Sequence, residues 1–215
     1  MGQEFQFVAG HLALDFANTL DYRYDPARIV ELLPTFGDFL AFAEQARIIS
    51  KPQADKLLAC TGPLEANRTH EQIIELREAL YFLFQSVAAA TSPSVVHLEA
   101  VNRLLREARP SGHIVWRKDN FVYNGPDLTG TPRGPLWPVM DAAAELLVSP
   151  DRHLIHECSD NSCRWLFLDR SKNHSRRWCD MRICGNRAKV QRFHARQRSG
   201  NRSTKAETTK STTEL

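Results

Sequence analysis

The C-terminal third of this 215-residue chain contains two cysteine pairs, Cys158-Ser-Asp-Asn-Ser-Cys163 and Cys179-Asp-Met-Arg-Ile-Cys184-Gly-Asn-Arg187. Fifteen residues separate the pairs, and each pair encloses four residues. Paired cysteines are typical of a structural zinc site, because each short loop can aim two thiolates at one tetrahedral ion. The sequence therefore predicts one Zn²⁺ per chain, held by Cys158, Cys163, Cys179 and Cys184.

Other interpretations of these cysteines are weaker. Four of the five cysteines lie within 27 consecutive residues, which argues against unrelated buried thiols. In a reducing compartment, four cysteines so close together indicate a metal site rather than disulfides. His153, His156 or His174 could replace one cysteine as a ligand, but a thiol would then be left over. A [4Fe–4S] cluster also takes four cysteines, although from other spacings.

The charges of the chain are segregated along its length. Residues 1–150 contain 13 Lys and Arg against 18 Asp and Glu, whereas residues 151–202 contain 13 against 5. The net charge of +3 therefore hides an acidic body followed by a basic segment, which also holds the clustered cysteines. A basic module on an acidic body is typical of proteins that bind polyanions.

Basic side chains around the second cysteine pair are candidates for nucleic-acid contacts. Lys and Arg neutralise phosphates, and a helix beginning near Cys184 could enter the major groove. The predicted contact residues are Arg170, Lys172, Arg176, Arg177, Arg182, Arg187, Lys189, Arg192 and Arg196. The alternatives are a solvated charged face and, for Asn186 and Arg187, contacts to the backbone of the finger itself.

Hydrophobic periodicity predicts a mainly helical body. The predicted helices cover about residues 12–20, 28–33, 37–49, 50–58, 63–90, 95–105 and 137–148, and residues 113–117 and 121–123 form a predicted hairpin. Four cysteines around a strand and a helix predict a treble-clef-like finger. The expected fold class is α+β, predominantly α, with a small β-hairpin in the N-terminal domain and a four-cysteine finger at the C-terminus.

Asp15 and Asn18 form a polar pair on an otherwise apolar helix of the body. If buried, these side chains must find hydrogen-bond partners. We expect the partners to be a neighbouring helix end or Arg77. A small-ligand pocket is the alternative hypothesis.

Several classes of protein are disfavoured by the sequence. The apolar runs are shorter than a membrane-spanning helix requires, and the N-terminus lacks the pattern of a signal peptide, so no membrane partner and a cytoplasmic location are expected. A Gly-rich phosphate loop, a nucleophile elbow and a His-Glu-x-x-His string are all missing, so no enzymatic activity is expected. Residues 199–215 are rich in Ser, Thr, Lys and Glu and are expected to be disordered.

Two segments resemble known families. Leu168-Asp-Arg-Ser-Lys-Asn-His-Ser-Arg-Arg-Trp-Cys-Asp-Met-Arg-Ile-Cys-Gly-Asn-Arg-Ala-Lys-Val190 closely resembles the CGNR zinc finger, named for the string at residues 184–187. Gly10-His-Leu-Ala-Leu-Asp-Phe-Ala-Asn-Thr19 resembles the ABATE domain that accompanies this finger. These families are described as stress-related bacterial transcription regulators. The resemblance therefore implies zinc on the four cysteines and DNA as the partner.

The predicted organisation is an ABATE-like domain over residues 1–150, a CGNR-type finger over 151–198 and a tail over 199–215. We expect a zinc-dependent, DNA-binding transcriptional regulator whose finger contacts double-stranded DNA. The body would sense a small-molecule effector, form a homodimer or support the finger. The alternative function is an RNA-associated or protein-interaction module in which the zinc site is purely structural.

Overall fold

The computed structural model describes residues 3–107, 113–117, 120–124, 127–194 and 197. Its helices are α1 (Leu12–Ala17), α2 (Phe36–Gln45), α3 (Lys51–Cys60), α4 (Pro63–Ala88), α5 (Val95–Glu107) and α6 (Trp137–Val148). Residues 186–194 are also helical and are named here the C-terminal helix. The predicted tail over 199–215 and the predicted contact residue Arg196 lie outside the described residues.

The strands of the described residues pair as short antiparallel ribbons. These pairs are β1 (Leu20–Asp21) with β2 (Val30–Glu31), β3 (His113–Arg117) with β4 (Asn120–Asn124), and β5 (Ile155–Glu157) with β6 (Leu166–Leu168). Helices thus dominate, and the predicted α+β class with a small hairpin is confirmed. None of the helices in the described ranges combines the length and hydropathy needed to span a bilayer.

Local sequence signals set the beginnings of the helices. The Thr35 backbone N–H donates to Asp38 Oδ2 at 3.1 Å, and the Asp38 N–H donates to Thr35 Oγ1 at 3.2 Å, which forms a capping box before α2. The Ser50 N–H donates to Gln53 Oε1 at 2.8 Å before α3. Pro63 opens α4, where its missing N–H removes no helical hydrogen bond. These caps explain why the predicted starts of α3 and α4 are confirmed.

Helix α1 lies at the centre of the hydrophobic core. Leu14 and Phe16 are fully buried, as are the alanines on its other side, and the helix contacts α4, α6 and β6. A helix that is apolar on all sides is stable only when it is surrounded by protein. The short α1 therefore serves as the element on which the other layers pack.

The body and the finger share one continuous core. Leu166, Phe167 and Leu168 of β6 are buried in the same apolar cluster as α1 and α4. The segment predicted as a linker after α6 is a 3-10 turn over Pro150–Leu154, and it ends with the buried Leu154. The finger is consequently held against the body by apolar packing, while the domain boundary at residue 150 stays a prediction.

The edge of β6 that faces away from β5 is paired with the body. Asn18 Nδ2 donates to the Leu166 carbonyl at 2.8 Å, and the Leu166 N–H donates to Asn18 Oδ1 at 2.8 Å. The Leu168 N–H donates to the Ala9 carbonyl at 2.8 Å. An open strand edge would leave such groups unpaired. Asn18 and residues 3–11, named here the N-terminal arm, therefore take the place of a third strand.

The prediction of a helix over residues 28–33 is wrong. Val30–Glu31 forms β2, which pairs with β1 in the register Leu20↔Glu31 and Asp21↔Val30. The predicted first helix also ends at Ala17, so Leu20 belongs to β1. Such short apolar runs fit helix and strand periods equally well, and tertiary contacts decide between them. Here Glu31 reaches the buried Arg77 as an ion pair, which fixes β2 in place.

Candidate metal centre and basic surface

The four predicted zinc ligands come together in one buried cluster. All four sulfur atoms lie within 4.8 Å of one another. The Sγ of Cys179 lies 3.6 Å from that of Cys163 and 3.7 Å from that of Cys184. With Zn–S bonds of about 2.3 Å, the sulfurs of a tetrahedral site lie about 3.8 Å apart. The cluster therefore already has the dimensions that one zinc ion requires.

The chemistry of the donor set also fits zinc. Four cysteine sulfurs form the donor set of a closed tetrahedral zinc site, and zinc binds each of them as a thiolate. The histidines considered as substitute ligands do not belong to the cluster that the described residues form. His174 Nδ1, for example, lies 2.9 Å from the Asp169 carbonyl oxygen. The four cysteines are thus the candidate ligands.

The first cysteine loop is shaped by Asp160. Its Oδ1 accepts hydrogen bonds from the Ser162 N–H at 3.0 Å and the Ser162 hydroxyl at 2.8 Å. The Cys163 N–H donates to the Asp160 carbonyl at 3.0 Å. A short Asp side chain that binds backbone two residues ahead is a common turn device. It folds the loop back so that Cys158 and Cys163 face the same point.

The second cysteine loop is a π-helical turn, Met181–Gly185, which leads directly into the C-terminal helix. Asp180 caps it, since its Oδ1 accepts from the Arg182 N–H at 2.6 Å. Cys184 therefore lies at the start of a helix, as predicted. A Cβ on Gly185 would come within 2.3 Å of the Met181 sulfur, so glycine makes room for that thioether.

Arg187 joins the two cysteine loops and the body. Its guanidinium donates to Asp160 Oδ2 at 2.8 Å in the first loop and to the Tyr22 hydroxyl at 2.8 Å in the body. Asn186 donates to the Arg182 carbonyl at 2.9 Å. The structural alternative of backbone contacts thus describes Asn186, whereas Arg187 binds the side chains of Asp160 and Tyr22. Each residue of the Cys-Gly-Asn-Arg string thus has its own part. Cys184 is a candidate ligand, Gly185 makes room for the Met181 side chain, Asn186 binds backbone in the turn, and Arg187 bridges the two cysteine loops.

Arg176 is likewise engaged within the protein. Its guanidinium donates to the Trp178 carbonyl at 2.9 Å and to the Val8 carbonyl at 3.0 Å. It also lies 4.5 Å from the centre of the Phe167 ring. These contacts tie the finger to the N-terminal arm. A role for Arg176 and Arg187 in nucleic-acid binding stays a prediction, but the guanidinium groups of both residues are already bound within the protein.

Asp169 fixes the turn between β6 and the second cysteine pair. It is fully buried, and its carboxylate accepts from the backbone N–H groups of Ser171 and Arg176, each at 2.9 Å. Burial opposes ionisation, yet the hydrogen bonds outweigh it and lower the pKa of Asp169. Asp169 therefore orients the backbone of Arg176.

The remaining predicted contact residues are exposed and fall into two groups. Arg170 and Arg182 have acidic neighbours, with ion-pair distances of 3.1 Å to Asp151 and 3.4 Å to Asp180. The second group has no ion-pair partner among the residues that the structure describes. Its members are Lys172, Arg177, Lys189 and Arg192. We name these four residues the free cations.

Asp15 and Asn18 have partners that sequence analysis did not identify. Asp15 Oδ1 accepts from the Ala9 N–H at 2.9 Å, and Asn18 binds both backbone groups of Leu166. Arg77 instead binds Glu31 and Glu78. The polar pair thus organises the contact between arm, body and finger. A small-ligand role for this pair stays a prediction.

Replacing Asp15 with asparagine is expected to stabilise the protein above about pH 6. Burial raises the pKa of Asp15 to about 6, while hydrogen bonds from the Ala9 and Val8 backbone oppose the rise. A pKa raised in the folded state favours folding at low pH, and the stability is lost as the pH rises through the folded value. Asparagine keeps the acceptor oxygen and removes the charge. The gain at pH 8 should be about 1–3 kcal/mol, measured by urea unfolding.

The difference between Asp15→Asn and wild type should shrink as the pH falls below about 6 and vanish below about pH 3, where the carboxyl is protonated in both the folded and the unfolded state. Titration of the cysteines cancels in this difference because both proteins contain them. Asp141→Asn is the matched control, since Asp141 is exposed on α6. A variant less stable than wild type at pH 8 would show that the ionised carboxylate is required.

Comparisons with known proteins agree with this architecture. Residues 10–150 match the model of the ABATE family, described as "Putative stress-induced transcription regulator". Residues 155–197 match the model of the CGNR zinc finger. A comparison with curated proteins found no match to the chain. The two matched segments meet at the 3-10 turn that follows α6.

Proposed function

We propose that this chain, which belongs to the ABATE family and carries a CGNR zinc finger, is a zinc-dependent, DNA-binding transcription regulator. The observation that carries the proposal is the position of the free cations on the same small unit as the four-cysteine cluster. A metal site that fixes a basic surface is a common basis for binding DNA.

One Zn²⁺ per chain is held by Cys158, Cys163, Cys179 and Cys184. Four thiolates close the tetrahedron and leave no position for a reacting water, so the ion is structural. Its part is to join the two cysteine loops and thereby position the C-terminal helix. We propose that the protein is not an enzyme and acts in the cytoplasm.

The free cations provide the DNA-binding surface. Lys189 and Arg192 lie on the C-terminal helix, whereas Lys172 and Arg177 precede Cys179, the third cysteine of the cluster. Without carboxylate partners, these side chains are available to neutralise phosphates. Arg170 and Arg182 add to the field, but their acidic neighbours reduce it. The body senses an effector, forms a homodimer or supports the finger.

The zinc-loaded, full-length chain is expected to bind duplex DNA with an affinity that falls steeply with salt. For about three neutralised phosphates, the association constant should fall about fortyfold between 50 and 200 mM monovalent salt. The double variant Lys172→Gln, Lys189→Gln should bind more weakly and give a shallower slope of log K against log salt. Fluorescence anisotropy with a labelled 25-base-pair duplex measures both quantities.

The double variant Lys51→Gln, Lys56→Gln provides the matched control. It removes two exposed lysines from α3 of the body and should leave binding and salt slope unchanged. Equal losses in both double variants would point to general attraction by net charge. No binding of wild type to duplex at 50 mM salt would contradict the proposed function. Selection of bound sequences from random duplexes then identifies the DNA site.

A second candidate function, a protein-interaction module, is favoured by one observation. Ile183, Val190 and Phe193 of the finger are 41%, 54% and 58% exposed, and the described body does not cover the apolar stripe that these three side chains form. If the protein acts through this stripe, the double variant Val190→Ser, Phe193→Ser should abolish binding to the protein partner. Neutralising Lys172 and Lys189 should then have no effect.

A further inference from the structure

A surface groove of about 330 Å³ runs between the segment that precedes the third cysteine and the C-terminal helix. Its lining combines two arginines, two uncharged polar side chains, one tryptophan and one alanine. These residues are Ser159, Arg177, Trp178, Ala188, Gln191 and Arg192. Ser159, Ala188 and Gln191 were not among the residues predicted to contact nucleic acid.

The walls of the groove are attached directly to the metal cluster. Ser159 follows the ligand Cys158, and Trp178 precedes the ligand Cys179. The Ser159 N–H donates to the Arg177 carbonyl at 2.8 Å, which joins two of the walls. The third wall is the C-terminal helix, which begins directly after Cys184 and Gly185. The groove is therefore a rigid feature whenever the cysteine cluster is closed.

The floor of the groove is aromatic. Trp178 is half-buried and packs against the hydrophobic core, so only part of its indole faces outward. The Arg177 guanidinium lies 5.2 Å from the centre of this ring, a distance at which the cation and the ring attract each other. The tryptophan thus holds one guanidinium in place and offers an apolar surface beside it.

The charge of the groove selects for an anion. Arg177 and Arg192 are exposed and have no ion-pair partner among the described residues, and the groove lining contains no carboxylate. A planar guanidinium matches the oxygen atoms of a phosphate, and side chains such as Ser and Gln add hydrogen-bond donors. An apolar floor between such donors suits a sugar ring next to a phosphate.

We infer that this groove docks the sugar–phosphate backbone of duplex DNA, with phosphate at Arg177 and Arg192 and deoxyribose on Trp178. The inference rests on the proposed function, and it specifies which part of the finger holds the duplex. Contacts to backbone position a protein on DNA without reading its sequence. The groove therefore serves as an anchor that fixes the orientation of the C-terminal helix, and sequence is read elsewhere.

The double variant Arg177→Gln, Arg192→Gln tests the inference in the zinc-loaded, full-length protein. We expect binding to a 25-base-pair duplex to weaken about tenfold or more, and the slope of log K against log salt to fall by about one per lost phosphate contact. The loss should be equal for duplexes of unrelated sequence. The variant with lysine at both positions keeps the charge and should recover part of the affinity.

Arg170→Gln with Arg182→Gln is the matched control, because it removes two exposed arginines of the finger that lie outside the groove. Zinc content and thermal midpoint should equal those of wild type in both double variants. The inference is supported if the groove variant loses much more affinity than the control variant. It is overturned if both lose the same, or if the groove variant loses binding to single-stranded RNA of equal length but not to duplex.

The outcome also separates this inference from the proposed function. If wild type binds duplex and the groove variant binds equally well, the groove is not the anchor, while DNA binding stands. If wild type does not bind duplex at all, the proposed function is wrong and the groove inference is overturned with it.

Discussion

Replacing Cys179 with serine is expected to abolish zinc binding and to destabilise the whole chain. The Cys179 sulfur lies within 3.7 Å of two other candidate ligands, so its loss opens the tetrahedron. Zinc contributes about 10–16 kcal/mol to the folding of finger peptides. Here the loss extends further, because β6 of the finger is buried against α1 and α4. Finger and body are therefore expected to lose stability together.

Two measurements check this expectation. Metal analysis should give about one zinc per wild-type chain and none for Cys179→Ser. The thermal midpoint should fall by more than about 10 °C, since each kcal/mol shifts the midpoint of a chain of this size by about 2–4 °C. Chelation of wild type should produce the same shift.

Cys60→Ser is the matched control, since Cys60 is exposed on α3 and lies outside the cysteine cluster. This variant should keep both its zinc and its thermal midpoint. A Cys179→Ser chain that retains one zinc would contradict the proposed ligand set. A chain that loses zinc but keeps its midpoint would show that the packing of β6 does not depend on the metal.

Replacing Asn18 with alanine is expected to cost about 2–4 kcal/mol of unfolding free energy. Asn18 is 2% exposed and makes two hydrogen bonds of 2.8 Å to the backbone of Leu166. Alanine would leave a buried N–H and a buried carbonyl unpaired, which costs more than the net value of the bonds themselves. Urea unfolding of the zinc-loaded protein measures the loss.

A second readout connects Asn18 to the finger. Because Asn18 holds the strand that precedes the second cysteine pair, Asn18→Ala should also release zinc to a chelator faster than wild type does. Asn67→Ala is the matched control, since Asn67 is exposed on α4. A loss of less than about 0.5 kcal/mol, the range of ordinary surface substitutions, would mean that solvent replaces both hydrogen bonds.

Sequence signals that act over short distances predicted much of this protein correctly. The bounds of α6 were predicted from apolar spacing, and the start of α3 was predicted to within one residue. The four cysteines were predicted as one cluster because their types and spacing restrict the alternatives. The helix predicted over residues 28–33 is wrong because a two-residue strand carries no periodicity of its own.

Contacts between distant residues could not be predicted. Arg176 and Arg177 are adjacent and chemically identical, yet Arg176 binds Val8, 168 residues away, while Arg177 faces the groove. Similarly, nothing near Asn18 indicates Leu166 as its partner. One signal was available: the Asp160-Asn-Ser162 turn, in which an acidic side chain between two cysteines could accept Arg187. A carboxylate partner of that kind distinguishes an arginine with a structural role from one that is free to bind DNA.

The pairing of the N-terminal arm with β6 has a consequence for synthesis on the ribosome. Leu166 follows Asn18 by 148 positions along the chain, and translating that length takes roughly 7–30 s at about 5–20 residues per second. During that interval α1 has emerged, but the strand that covers one of its faces has not. The body therefore keeps apolar surface exposed until the finger leaves the exit tunnel and β6 completes the core of the body.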